Sequence, residues 1–172
     1  ASNAEKDDAF GAAIALSADG NTLAVGASQE GSGIVGAPDD NSILYAGAVY
    51  VFERVDDAWS QQAYLKAANP GILDLFGDSL ALSDDGNTLA AAAPLDDDGP
   101  LTNAGAVYVF VRSSDVWSAP TYLQASNADT DDAFGIAVSM SADGKTLAVG
   151  AWGEASNAGA AYVFVRAVDV WS

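Results

Sequence analysis

Short apolar runs broken by polar turns fill this chain, and they recur in one order three times. Each copy opens on Phe-Gly, at Phe10, Phe76 and Phe134. The opening runs, 10–16, 76–82 and 134–140, alternate in side-chain size rather than in polarity. In the third copy Phe134, Ile136, Val138 and Met140 read as one face, and Gly135, Ala137 and Ser139 as the other. Successive strand residues point to opposite faces, so this predicts a strand with one bulky and one small face. Copy two departs from the pattern, with Asp78 on its bulky face.

A Ser-x-Asp-Gly turn follows each opening run, at Ser17–Gly20, Ser83–Gly86 and Ser141–Gly144. Asp-Gly between apolar runs predicts a hairpin, because Gly takes positive φ freely. The second strands are then 22–27, 88–93 and 146–151. Next comes a loop that shortens from copy to copy, 28–46, 94–104 and 152–158. Variable length places it at a surface that tolerates insertion, the expected site of any binding. The third strands, 47–53, 105–111 and 159–165, are apolar on both faces, so both faces should be covered. A more polar fourth strand starts at each Trp, 59–65 and 117–123, and in the third copy reads only Trp171-Ser172.

Self-similarity at this period predicts a repeat array. Four antiparallel strands per copy, buried on both faces, predict an all-β, β-propeller-type array of three blades, the last incomplete. The divisions expected are 1–66 with a leading polar connector, 67–124 and 125–172. A β-sandwich of about twelve strands is the alternative, and it leaves the four-strand repeat unexplained.

The residues that recur carry a resemblance. Phe10-Gly11, then Leu23-Ala24-Val25-Gly26-Ala27, then Gly47-Ala48-Val49-Tyr50-Val51-Phe52 resembles the FG-GAP repeat, the blade unit of the integrin α-subunit propeller and of bacterial surface and secreted proteins. Copies two and three repeat it at Phe76-Gly77 with Gly105–Phe110, and at Phe134-Gly135 with Gly159–Phe164. The resemblance implies a propeller, a secreted or cell-surface location and a role in adhesion or extracellular interaction. Integrin-type blades hold calcium between their first two strands. Here that turn supplies only one or two carboxylates, such as Asp84 and Asp85, too few for a cation that takes about six or more oxygens.

Charge changes the picture of partners. The chain has 24 acidic and 6 basic residues among 172, a net of −18. Such a balance disfavours nucleic acid and anionic membrane surfaces, which need Lys and Arg. No apolar run reaches the length of a membrane span, so no membrane insertion is expected. Without Cys or His there is no disulfide, no thiolate metal site and no histidine base for a serine nucleophile. The chain opens on Ala1 inside the repeat, which suggests a processed product or an excerpt of something longer.

Candidate sites are few. Asp96-Asp97-Asp98 is the candidate metal cluster, for calcium, with a solvated loop as the other reading. Tyr45 and Trp152 are the aromatic residues outside the repeating pattern, in the variable loops, and are the candidate ligand contacts. Trp59, Trp117 and Trp171 recur at one position and read as packing residues. Asp7-Asp8 and Asp131-Asp132 read as caps of the connectors, the other reading being that they join turns such as that of Asp19 around an ion. No pair of carboxylates is fixed at a separation that suits glycoside hydrolysis. The expected function is therefore non-catalytic and needs no cofactor, with calcium as an option. It is a structural or adhesive module that associates with itself, as a ring or a head-to-tail fibre, or with further repeats of a longer chain. The alternative is a propeller that binds a surface glycan or protein through its variable loops, with calcium assisting.

Overall fold

The Ser-x-Asp-Gly turns fold as self-contained hydrogen-bonded units. Ser17 Oγ donates to Asp19 Oδ1 at 2.6 Å and accepts the Thr22 N–H at 2.9 Å, while Asn21 N–H donates to Asp19 Oδ1 at 2.9 Å. Ser83 and Asp85 repeat this, as do Ser141 and Asp143. Gly20, Gly86 and Gly144 supply the left-handed residue, with φ of +68°, +69° and +64°. The turn aspartates are thus committed to their own backbone. The Ser17 hydroxyl and the Asn21 amide hold Asp19 below the ordinary carboxylate range.

The computed structural model describes residues 5–33, 40–97, 99–168 and 170–172. Among them are three antiparallel sheets in chain order. The first holds β1 (Phe10–Leu16), β2 (Thr22–Ala27), β3 (Ala48–Val55) and β4 (Ala58–Leu65), neighbours in that order. The second holds β5 (Ser79–Leu82), β6 (Thr88–Ala93) and β7 (Ala106–Ser113), with β8 (Val116–Trp117) and β9 (Thr121–Leu123) both on the outer edge of β7. The third holds β10 (Phe134–Met140), β11 (Thr146–Ala151), β12 (Ala160–Ala167) and β13 (Val170–Trp171). One helical turn, Glu154–Asn157, takes left-handed φ at Ala155 and Ser156. The architecture is all-β and propeller-like: sheets stack in sequence order as blades, not as two faces of a sandwich.

Three expected strands differ by more than one or two end residues, each for a local reason. The outer strand 117–123 is split, because Pro120 has no N–H to give the ladder. The strand expected at 76–82 begins at Ser79. In every blade the residue after Phe-Gly turns its N–H back to the residue before Phe: Ala12 to Ala9, Asp78 to Leu75, Ile136 to Ala133. The Gly between has φ of +96°, +91° or +100°. Phe-Gly is therefore a bulge and not a regular strand start. It also breaks the alternation expected in 134–140. Phe134, Val138 and Met140 pack towards blade 2, whereas Ile136 lies beside Gly150 on the other face.

Stacking fits large side chains onto small ones. Phe76, Leu80, Leu89, Tyr108 and Phe110 of blade 2 pack on Ala24, Val49 and Val51 of blade 1. Phe134, Leu147 and Val149 of blade 3 pack on Ala81, Ala90, Ala92 and Val107 of blade 2 in the same way. Within each bulky face the Phe of Phe-Gly makes edge contacts with the Tyr and Phe of the third strand. The ring centroids are 5.5 and 6.2 Å apart for Phe76, and 5.4 and 6.0 Å for Phe134.

Candidate functional site

The junction between blades is built twice from the same parts. The connector entering blade 2 runs beside the end of the blade 1 loop. There Leu73, Leu75 and Phe76 donate N–H to the carbonyls of Leu44, Tyr45 and Ala46 at 2.9, 3.1 and 3.1 Å. Asp131, Ala133 and Phe134 repeat this on Thr102, Asn103 and Ala104 at 2.9, 3.1 and 3.0 Å. The hairpin tips join at the other end: Ala18 N–H donates to the Asp84 carbonyl, and Asp84 N–H to the Ala142 carbonyl, both at 3.0 Å. Between these ends Phe-Gly lies so close to the previous blade that only glycine fits beneath. A Cβ on Gly47 would stand 2.1 Å from the Phe76 carbonyl oxygen, and one on Gly105 would stand 2.2 Å from that of Phe134. At the outer rim Arg112 Nη2 donates to Thr22 Oγ1 at 3.1 Å, and Trp117 Nε1 donates to Gln62 Oε1 at 2.8 Å.

Both halves of this junction stand open at the ends of the array. On blade 1, Phe10 is 43% exposed, where Phe76 and Phe134 are 0% exposed. Its edge contacts with Tyr50 and Phe52 are already made, at 5.4 and 6.3 Å. On blade 3, Val163 is 63% exposed, where its counterparts Val51 and Val109 are 0% and 1%. Thr146 is exposed, whereas Thr22 and Thr88 are buried under the following blade. Blade 3 also carries an apolar groove of about 410 Å³ lined by Ile136, Gly150, Trp152, Gly159 and Ala160.

The loop rim carries a second recurring arrangement, of buried and half-buried carboxylates. Asp96, three residues beyond β6, accepts the Tyr108 hydroxyl at 2.6 Å. Glu154, at the same place beyond β11, accepts the Tyr162 hydroxyl at 2.8 Å. Asp8, Asp74 and Asp132, two residues before each Phe, accept the amides of Glu5, Gly71 and Asp129 at 2.8, 2.5 and 2.6 Å, as connector caps. Burial, with the charge of Asp96 added, pushes Asp74 up to about 7. In blade 1 Glu30, at the same place beyond β2, meets Lys66 at 3.1 Å, and both side chains are fully buried. Lys66 Nζ also donates to the Gly47 carbonyl. Burial holds Lys66 below its ordinary value, and the Glu30 charge opposes that.

The candidate metal residues are spread apart in character. Asp96 is buried on Tyr108, while Asp97 is exposed and accepts the Asn103 amide at 2.9 Å. Asp98 lies outside the described residues. Among the described residues no group of three or more His, Cys, Asp or Glu side chains could hold a metal ion. Tyr45 borders a polar hollow of about 420 Å³ with Glu5, Lys6, Asp7, Asn41 and Ser42. Trp152 borders the apolar groove on blade 3, so the two aromatic candidates serve different sites. Sequence reading missed the Glu30–Lys66 pair. The signal was there: Lys66 stands where copy two has Gln124, in a chain with very few cations.

The FG-GAP repeat model matches residues 59–110 and 117–164, more than half of the chain. The chain belongs to the FG-GAP repeat family. Each matched unit takes the outer strand of one blade with the three inner strands of the next, so it spans a blade junction rather than a blade. No curated protein matches the FG-GAP chain. Among solved structures, it is similar to a protein provisionally named a 6-phosphogluconolactonase from Bacteroides uniformis. The TM-score is 0.62 at 17% identity, over 98% of this chain and 40% of that one. It is also similar to the periplasmic gluconolactonase of Pseudomonas aeruginosa. There the TM-score is 0.53 at 15% identity, over 94% of this chain and 40% of that one. The FG-GAP chain thus spans 40% of the length of either, and at these identities the likeness concerns the fold alone.

Proposed function

We propose that this chain is a non-catalytic interaction module, secreted or held at a cell surface, that builds assemblies by stacking blades. The assembly is a completed ring, a head-to-tail fibre or a continuation into further repeats of a longer chain, and its role is structural or adhesive. One observation carries this reading: the blade junction is made twice inside the chain from the same parts, a stacking contact that repeats from blade to blade. Closed propellers use roughly four to eight blades. Arrays whose end faces are apolar are continued, capped or completed by another unit. The chemistry points the same way. The carboxylates of the rim are taken up by tyrosines, amides and Lys66, and the chain has no His or Cys to act as base or nucleophile. The lactonase names of the two structural neighbours bear on their own activity.

Sedimentation velocity over a range of concentrations tests the reading. Mass should rise in whole multiples of 17.4 kDa. A single 17.4 kDa species at every concentration would contradict self-association. A second reading is favoured by the polar hollow beside Tyr45: a glycan or a protein loop held by the variable loops, with calcium at 96–98. Binding on a glycan array that is lost in Tyr45→Ala would support it.

A further inference from the structure

We infer that the loop rim at the junction of blades 1 and 2 docks a basic protein segment, whose apolar side chain rests on Leu44, Ile72 and Leu73. This goes beyond the interaction role proposed above by naming a partner other than a copy of the chain. Leu44 and Leu73 adjoin, the Leu73 N–H donating to the Leu44 carbonyl at 2.9 Å. Leu44, Ile72 and Leu73 are 56%, 67% and 45% exposed. The junction they top is already made inside the chain, so a further blade stacked on either end face leaves them uncovered. The fold does not ask for apolar residues here. The junction of blades 2 and 3 uses the same hydrogen bonds with polar ones: Thr102 stands where Leu44 does, and Thr130 and Asp131 stand where Ile72 and Leu73 do. The connector of blade 1 carries Lys6 and Asp7 at those places. Nor does the backbone favour Leu73. Its φ is 69°, beside 73° for Asp7 and 65° for Asp131. Asp takes this left-handed conformation more readily, because its short polar side chain can bond locally. Neither burial nor backbone conformation accounts for Leu73; contact with a partner does.

Charge sets the chemistry of that partner. On one side of the patch, Leu44 shares the polar hollow with Glu5 and Asp7. On the other, the charge of the exposed Asp97 reaches Asp74, the neighbour of Leu73. The cations of the chain do not balance these acids. Arg54 and Arg112 donate to Asn21 and Asn87 at the hairpin-tip end, at 3.1 and 3.0 Å, and the Arg166 N–H donates to the Lys145 carbonyl at 2.7 Å. At the rim itself Lys66 is buried on Glu30, and Lys6 faces Asp7 at 3.6 Å. An acidic surface is repelled from this place. An apolar side chain set between Lys or Arg residues meets both the patch and its acidic border, and such complementarity speeds encounter and fixes register.

A phage-displayed library of random dodecapeptides, selected on the whole chain, tests this. It should enrich Leu, Ile or Phe flanked by Lys or Arg. In fluorescence anisotropy the enriched peptides should bind the double variant Ile72→Thr with Leu73→Asp at least about tenfold more weakly than the wild type. Their binding to the wild type should also weaken as salt is added. Both new residues are those of the second junction, near-ultraviolet circular dichroism checks the fold, and Leu44→Thr is an independent single variant. No enrichment, enrichment of acidic or wholly polar peptides, or equal binding to the variants would overturn this docking surface and leave self-association standing. A chain that binds such peptides but stays monomeric in sedimentation velocity would overturn self-association and leave the docking surface standing.

Discussion

Gly105→Ala should destabilise the chain by about 1–3 kcal/mol more than Gly159→Ala, although both change the same residue of the same motif. The two glycines share a left-handed backbone, with φ of +83° and +76°, so alanine costs each about 1–2 kcal/mol of conformational strain. They differ in what lies above them. A Cβ at position 105 would stand 2.2 Å from the backbone oxygen of Phe134, whereas one at 159 meets nothing nearer than 3.6 Å. A backbone oxygen cannot swing aside, so blade 3 must move off blade 2, and overpacking of this kind typically costs about 1–3 kcal/mol. Urea unfolding in a Phe10→Ala background, which removes stacking between copies, gives the comparison. Equal losses at the two positions would mean that blades 2 and 3 do not meet as described.

Lys66→Met should cost about 3–5 kcal/mol, since it leaves Glu30 buried without its cation. The pair ties the end of β4 to the loop beyond β2 and to the Gly47 carbonyl. Adding Glu30→Leu to Lys66→Met should recover most of the loss, because an apolar pair removes the stranded charge. Denaturant midpoints of the single and double variants measure this. A single variant within about 1 kcal/mol of wild type would place Glu30 in contact with water, against its burial.

The blade was legible in the sequence because its strands repeat. The second strands were expected at 22–27, 88–93 and 146–151, and β2, β6 and β11 lie there. The opposed faces of the third strands were also legible, Tyr108 and Phe110 packing on blade 1 and Val107 and Val109 on blade 3. The Phe-Gly bulge was not. Period-two alternation assigns Ile136 to the Phe134 face, and only the positive φ of Gly135 sends it to the other. The candidate site was less legible than the fold. The acidic run at 96–98 drew attention by composition, yet Asp96 belongs with Tyr108, twelve residues away, through the pairing of β6 and β7. Glu30 and Lys66 lie 36 residues apart and meet only because the loop beyond β2 folds back to the end of β4.

Cysteine cross-linking tests most directly whether the two open faces are one interface. The chain has no cysteine, so introduced pairs report without background. Ala18 and Asp84 share a backbone hydrogen bond of 3.0 Å, and backbones joined in this way lie about 5–6 Å apart, inside the disulfide range. The pair Ala18→Cys with Asp84→Cys should close within a single chain and serves as the control. The pair Ala18→Cys with Ala142→Cys, at opposite ends of the array, should give reducible multimers on oxidation, and adding Phe10→Ala should abolish them. Monomers alone, or multimers indifferent to Phe10→Ala, would contradict head-to-tail stacking.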